Sequence, residues 1–144
     1  MTTLLDAHAL VAFLAGEPAL AEVRSLLREG DTAIPSVNLA EAVDVVERVY
    51  GIPGEDVRAA VSALTASLLE VLPCREAEAW RAAELRTKHY ARRRTEVSIP
   101  DCFLVASARP SDTIATGDRG VLTMSRREGI AALPLLDSSG RRSR

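Results

Sequence analysis

The sequence has 144 residues, of which 47% are hydrophobic and 26% charged, and its formal net charge is −2. These values predict one folded domain with a buried core, and they argue against disorder and against a strongly basic nucleic-acid-binding protein. The longest charge-free run, residues 59–69, is too short to cross a bilayer, and no secretory signal is visible. The two cysteines, Cys74 and Cys102, match neither a disulfide framework nor a zinc-ligand pattern, which indicates a reducing, cytoplasmic setting.

Hydrophobic periodicity, together with the Gly and Pro residues that end helices and strands, predicts strands that alternate with helices along the chain. The predicted strands are residues 2–5, 32–34, 68–72, 113–116 and 131–136. The predicted helices are residues 7–15, 19–29, 36–50, 55–67, 75–94, 98–109 and 119–128. Ser36 is predicted to cap the third helix, and the fifth is predicted to bury Trp80, Ala83 and Tyr90. A domain of residues 1–136 is then followed by residues 137–144, predicted to form a flexible basic tail.

This alternation favours an α/β fold of three layers, a central parallel sheet flanked by helices. Ligands of such sheets bind in the crevice beyond the carboxyl ends of the strands. Asp6 follows the first predicted strand, Asp118 follows the fourth, and Asp101 opens an almost wholly apolar helix. We therefore expect these three acids to lie at one edge of the sheet.

Each acid also has an ordinary structural explanation. Asp6 and Asp118 are good helix N-caps, and Ser98 with Asp101 has the form of a capping box. Glu41 lies in the third predicted helix, opposite its apolar stripe, so periodicity alone predicts a solvated side chain. That stripe consists of Leu39, Val43, Val46 and Tyr50.

Four segments taken together resemble the PIN-domain nucleases and, among them, the VapC-type toxins of toxin–antitoxin pairs. The segments are Leu4-Leu5-Asp6, Ser36 with Glu41, Ser98-Ile99-Pro100-Asp101 followed by Ala106 and Ala108, and Thr116-Gly117-Asp118. They occur in the order found in the family, and the resemblance extends to about residue 136. The chain departs from the usual pattern at His8, where many members have Ser or Thr, and at Cys102, where Ala is frequent.

The resemblance implies a metal-dependent endoribonuclease that acts as the toxin of a toxin–antitoxin pair. In that reading Asp6, Glu41, Asp101 and Asp118 are catalytic, the three aspartates bind Mg²⁺ or Mn²⁺, and Thr116 and Ser36 support them. RNA phosphodiester bonds would be hydrolysed through the carboxylate-bound cation, since hard cations prefer carboxylate oxygens and relieve the repulsion among clustered acids. A cognate antitoxin and a homodimer are also implied by the resemblance.

An RNA substrate requires local positive charge. The densest group of cations lies beside Tyr90 and consists of Lys88, Arg92, Arg93 and Arg94. The same cations have a simpler explanation, because a helix C-terminus favours solvated positive charge. They are therefore candidates for RNA binding, and solvated cations at the end of a helix are the alternative interpretation.

Other functions fit part of the pattern. A phosphatase that forms an aspartyl phosphate on Asp6 requires a second Asp at the position of His8, and a receiver module requires a Lys after a late strand. The only Lys, Lys88, falls in a predicted helix. A catalytically silent PIN-fold binding module is disfavoured because all four acids are present. His8 is expected to pack or to support the acids rather than to bind metal.

Overall fold

A single parallel sheet forms the centre of the molecule. The computed structural model describes residues 1–91 and 96–144. Within them the strands are β1 (Thr3–Leu5), β2 (Thr32–Pro35), β3 (Leu69–Leu72), β4 (Thr113–Thr116) and β5 (Ala131–Pro134). Their order across the sheet is β3-β2-β1-β4-β5, and each neighbouring pair is parallel.

Helices connect the strands and cover the sheet. They are α1 (Ala7–Ala15), α2 (Leu20–Glu29), α3 (Ser36–Arg48), α4 (Gly54–Thr65), α5 (Glu76–His89), α6 (Ile99–Ser107) and α7 (Arg119–Arg127). The predicted α/β fold with a central parallel sheet is confirmed. Among the helices in the described part of the chain, none is both long and apolar enough to cross a membrane.

The central strand β1 contributes to two cores, one on each face of the sheet. Leu4 and Leu5 are both fully buried, and successive side chains of a strand point to opposite faces. Leu5 packs in the core formed with α1 to α4, for example against Leu10, whereas Leu4 belongs to the core of α5 to α7, with Leu85 and Leu104. The first strand therefore lies inside the sheet, as the sequence predicts.

Helix α5 turns a different face to the core from the one predicted. Trp80 is 67% exposed and Tyr90 41% exposed, so the predicted aromatic stripe is wrong. The buried side consists of Ala82, Leu85 and His89, which recur at helical spacing and let α5 approach α6 closely. The helix also ends at His89 instead of residue 94, and the candidates Arg92, Arg93 and Arg94 lie outside the described residues.

Helix α3 begins without the predicted cap. Its N-cap is Pro35, the last residue of β2, and Ser36 is already its first helical residue. Since the extended backbone of Pro35 leads directly into the helix, the hydroxyl of Ser36 is free for another contact. Its Oγ accepts a hydrogen bond from the backbone N–H of Cys74 at 3.2 Å and so joins α3 to the loop after β3.

The segment 137–144 turns back onto the domain. Arg142 pairs with Glu22 of α2 at 2.8 Å and donates a hydrogen bond to the carbonyl oxygen of Pro134 at 2.6 Å. The hydroxyl of Ser143 lies 3.5 Å from the carbonyl oxygen of Gly117. The flexibility of this segment, and the domain boundary at residue 136, stay predictions.

A group of charges joins α5 to Glu128, the residue that follows α7. The side chain of Glu128 is only 5% exposed and lies 2.8 Å from the guanidinium of Arg81, 2.7 Å from the ammonium of Lys88 and 2.7 Å from Nε2 of His89. Hydrogen bonds from Lys88 and His89 lower the pKa of the Glu128 carboxyl to about 2. Lys88, an RNA-binding candidate, therefore has a carboxylate partner within the fold.

We expect Glu128→Gln to reduce the free energy of unfolding at pH 7 by about 2 kcal/mol, because it leaves cations beside a neutral, nearly buried side chain. The pKa of this carboxyl is lower in the folded state than its ordinary value of 4.5. Its contribution is therefore complete above that value and is lost as the pH falls toward 2. Urea unfolding at pH 7 and pH 3 measures the effect, with Glu84→Gln on the exposed side of α5 as control. Equal losses for the two variants at pH 7 would contradict the prediction.

Candidate active site

The topology creates a crevice between the carboxyl ends of β1 and β4. The chain proceeds from β1 to β2 and β3 on one side, and β4 and β5 lie on the other. Such a reversal of strand order is where open α/β sheets bind ligands. Asp6 follows β1 directly, and Asp118 follows β4 after Gly117. The two acids therefore flank this crevice.

Asp6 is the most enclosed of the four acids, at 3% exposure. Its Oδ1 accepts a hydrogen bond from the backbone N–H of Ala9 at 2.7 Å, and its Oδ2 accepts one from the hydroxyl of Thr116. The oxygen of that hydroxyl accepts in turn from the backbone N–H of Asp118 at 3.0 Å. Burial raises the pKa of Asp6 to about 6, although the bonds from Thr116 and Ala9 act in the opposite direction.

Asp101 and Asp118 both cap helices, as the ordinary explanation requires. Asp101 Oδ2 accepts from the backbone N–H of Ser98 at 2.8 Å, and the backbone N–H of Asp101 donates to Ser98 Oγ at 3.2 Å. Asp118 Oδ1 accepts from the backbone N–H of Val121 at 3.0 Å. A carboxylate has two oxygens that can each accept more than one bond. Capping therefore leaves both side chains able to bind a ligand.

Glu41 is half-buried, and its carboxyl lies near enough to Asp101 and Asp6 for their charges to raise its pKa, so the fully solvated side chain that periodicity predicts is wrong. Helix α3 packs against both α1 and α6, which encloses a second side of the helix. The pKa of Glu41 is raised by burial first, then by the charge of Asp101, with a smaller effect of Asp6. Asp44, one turn further, is exposed and pairs with Arg48 at 2.9 Å.

The four acids form one electrostatic unit. The pKa of Asp101 is raised by burial and by the charge of Asp118, and the charge of Asp101 in turn raises the pKa values of Asp6 and Glu41. The carboxylates of Asp6, Glu41 and Asp101 therefore each lie close enough to another acid to disfavour ionisation. The structure brings all four sequence-predicted acids to the same region.

His8 lies at the mouth of this acidic cluster. It is exposed, so of the two roles expected for it, packing in the core is wrong and support of the acids stays a prediction. Its charge lowers the pKa values of Asp6, Glu41 and Asp101, which places the ring among the acids. With Asp118 it also lines a cavity of about 150 Å³.

Gly117 has a role that the sequence did not reveal. Its φ angle is not among the positive ones of the described residues, so backbone conformation does not require glycine here. A Cβ at this position would lie 3.2 Å from the carbonyl oxygen of Leu136 and 3.3 Å from Cα of Asp137. Glycine therefore permits the close approach of the backbone that follows β5, and a larger residue would require that backbone to shift by a few tenths of an ångström.

One buried polar residue beside the acids was not singled out from the sequence. Asn38 is 1% exposed and hydrogen-bonds to the backbone of Pro100, the residue before Asp101. The available signal was an amide in the first turn of the helix, three residues before Glu41.

The donor set determines which metal the site would suit. Within residues 1–91 and 96–144, no group of three His, Cys, Asp or Glu side chains is arranged to hold a metal ion. The donors that converge are carboxylates, which suit Mg²⁺ and Mn²⁺. Mg²⁺ is usually held by one or two carboxylates, with water and substrate phosphates completing its shell. The residues therefore fit a hard, partly hydrated cation, and the sharing of one cation by all three aspartates stays a prediction.

The fold is that of a known family. The model of the PIN domain family matches residues 3–126, and the chain belongs to that family. No curated protein matches the sequence significantly.

Solved structures of similar fold share little sequence with this chain. VapBC2 from Rickettsia felis, bound to a DNA fragment from its promoter, gives a TM-score of 0.68 at 17% identity, covering 94% of this chain and 99% of that one. DNA-bound VapBC from Salmonella typhimurium gives 0.65 at 21%, covering 92% and 97%. A toxin–antitoxin complex from Klebsiella pneumoniae gives 0.61 at 17%, covering 84% and 90%. At these identities the similarity establishes the fold.

Proposed function

We propose that this chain is a VapC-type toxin, an endoribonuclease that requires Mg²⁺ or Mn²⁺ and hydrolyses RNA phosphodiester bonds. The observation that carries the proposal is the convergence of Asp6, Glu41, Asp101 and Asp118 in one electrostatic unit at the switch point of a PIN sheet. Clustered carboxylates whose charges repel one another are unfavourable without a cation, and so they indicate a site that a cation stabilises. The solved structures of similar fold support the toxin assignment.

The proposed roles follow from what each side chain contacts. Asp6 is held from both sides, by Thr116 and by the N-terminus of α1, so it is a pre-oriented metal ligand, with Asp101 and Asp118 beside it. A bound divalent cation supplies relief of negative charge at the phosphate and activation of water. The raised pKa of Glu41 suits a group that takes a proton from the attacking water.

The products follow from water being the nucleophile. Cleavage would leave a 5′-phosphate and a 3′-hydroxyl, and the 2′-hydroxyl of the RNA would take no part. Lys88 and the arginines at 92–94 are proposed to contact the RNA backbone. Lys88 is paired with Glu128, so an RNA phosphate would compete with that carboxylate for its ammonium group.

The proposal includes a partner and a setting. Three solved relatives of the same fold are described as toxin–antitoxin or VapBC assemblies, and we propose that a small antitoxin covers the acidic site of this chain. A cationic side chain inserted by that partner would complement the carboxylates. We further propose that the toxin forms a homodimer and acts in the cytoplasm.

The proposed function predicts cleavage of RNA by the purified, antitoxin-free chain. Cleavage is expected with Mg²⁺ or Mn²⁺, is expected to stop in chelator, and is expected to return when the metal is restored. A 2′-deoxy substitution at the scissile nucleotide should leave cleavage intact. Denaturing gels and analysis of the product ends measure both properties.

Two results would overturn the assignment. Cleavage that persists in chelator would exclude the metal-dependent mechanism. A folded chain that binds the antitoxin but cuts no RNA with either metal would make it a silent PIN-fold binding module. Full activity in saturating antitoxin would refute only the proposed inhibition.

A further inference from the structure

A single side-chain hydrogen bond joins the helix of Glu41 to the helix of Asp101. Asn38 lies in the first turn of α3, and its Nδ2 donates to the carbonyl oxygen of Pro100 in α6 at 3.1 Å. Glu41 follows Asn38 by three residues, so the two project from the same side of α3. Pro100 directly precedes Asp101. The hydrogen bond is therefore close in sequence to one acid of the site at each end.

The buried amide of Asn38 makes the packing between these helices less stable than an apolar side chain of similar shape would. The residue is 1% exposed, and its Oδ1 has no hydrogen-bond partner among the described residues. A buried acceptor without a partner destabilises a fold, whereas an apolar group of similar shape carries no such penalty. Packing alone would thus be served better by an aliphatic side chain, and the contact with Pro100 is what the amide adds.

We propose that Asn38 is a positioning residue, which holds α6 against α3 so that Glu41 and Asp101 keep the separation that catalysis requires. The inference rests on the proposed function and deepens it. The charge of Asp101 acts on Glu41, so the two carboxylates face a common space. The ring of Pro100 restricts the backbone of the first turn of α6, so a displacement of its carbonyl is passed on to Asp101.

The test separates positioning from stability. In the full chain, Asn38→Leu removes both polar atoms and approximately keeps the branched shape. The melting temperature is expected to be unchanged or raised, whereas kcat on RNA falls by about a hundredfold, because small misplacements of reacting groups have effects of that size. KM should change little. Calorimetric titration of Mn²⁺ alone, without RNA, should show about tenfold weaker binding, as for other residues that orient metal ligands.

Two further variants guard against a fold defect. Asn38→Ala removes the hydrogen bond without adding bulk, and it is expected to show the same loss of kcat and of Mn²⁺ affinity. Val46→Ala, at a buried core position further along α3, is expected to lower the melting temperature while kcat per folded molecule stays at the wild-type value.

The outcomes distinguish the two proposals. Wild-type kcat per folded molecule and wild-type Mn²⁺ affinity in both Asn38 variants would overturn the positioning role, whatever happens to the melting temperature. If the wild-type chain itself neither cleaves RNA nor binds Mn²⁺, the proposed function fails and the role of Asn38 fails with it. A loss of kcat and of Mn²⁺ affinity in the Asn38 variants, but not in Val46→Ala, supports both the proposed function and the positioning role.

Discussion

Replacement of Asp101 by Asn is expected to reduce RNA cleavage by a factor of about a hundred to a thousand, the range found when one preorganised electrostatic group is removed from an active site. Asn keeps the size of the side chain but removes the charge that would hold a cation. It also keeps the structural role in the capping box, because its amide oxygen can still accept the hydrogen bond from the backbone N–H of Ser98.

The control is Asp44→Asn, an exposed acid of α3 that is paired with Arg48 and whose charge has the smallest of the effects on the pKa of Glu41. This variant should retain wild-type cleavage. The assay compares single-turnover rates for both variants in Mg²⁺ and Mn²⁺, together with thermal melts. A well-folded Asp101→Asn protein that cuts RNA at the wild-type rate would show that Asp101 is only a helix cap.

The fold could be predicted from the sequence because the hydrophobic pattern within each element and the order of the elements along the chain indicate the same architecture. Leu4 and Leu5 form a short apolar run followed at once by a helical period, and similar units recur to residue 136. Local pattern and global fold are then consistent, which is the condition under which such inference succeeds. It failed for α5, where Trp80 was expected inside. The core beside that helix accommodates Ala82 and Leu85. The close packing of α5 on α6 is a property of the tertiary structure that the hydropathy pattern of the sequence does not indicate.

The acidic site was only partly accessible to physical inference from sequence. Asp6 and Asp118 follow strands, so their common edge could be argued from topology. The place of Glu41 in the site could not be inferred in this way. Its position on α3 predicts a solvated side chain unless α6 is known to pack against that helix. Its assignment came from family resemblance. The amide of Asn38 gave no periodic signal, since its importance depends on a carbonyl 62 positions away.

Asp6 is expected to destabilise the metal-free protein at neutral pH and above. Its pKa is raised from 3.8 to about 6, chiefly by burial, so the folded state binds more protons than the unfolded state between these values. Stability from this group is therefore complete below about pH 4 and is lost as the pH rises through 6. A shift of this size corresponds to about 3 kcal/mol. Glu41 and Asp101, whose pKa values are also raised, act in the same direction.

Asp6→Asn should therefore increase the free energy of unfolding of the metal-free protein at pH 8 by about 2 kcal/mol, after about 1 kcal/mol is subtracted for the altered hydrogen bond with Thr116. At pH 4 the variant should gain nothing, because Asp6 is then protonated in the folded state. Mn²⁺ should raise the melting temperature of the wild-type chain at pH 8, since a ligand that binds only the folded state stabilises it, and should have little effect on the variant. Urea unfolding at the two pH values, with and without Mn²⁺, measures all of these differences. A variant that is less stable than wild type at pH 8 would mean that the carboxylate of Asp6 serves the fold, through its bonds to Ala9 and Thr116, more than it serves a cation.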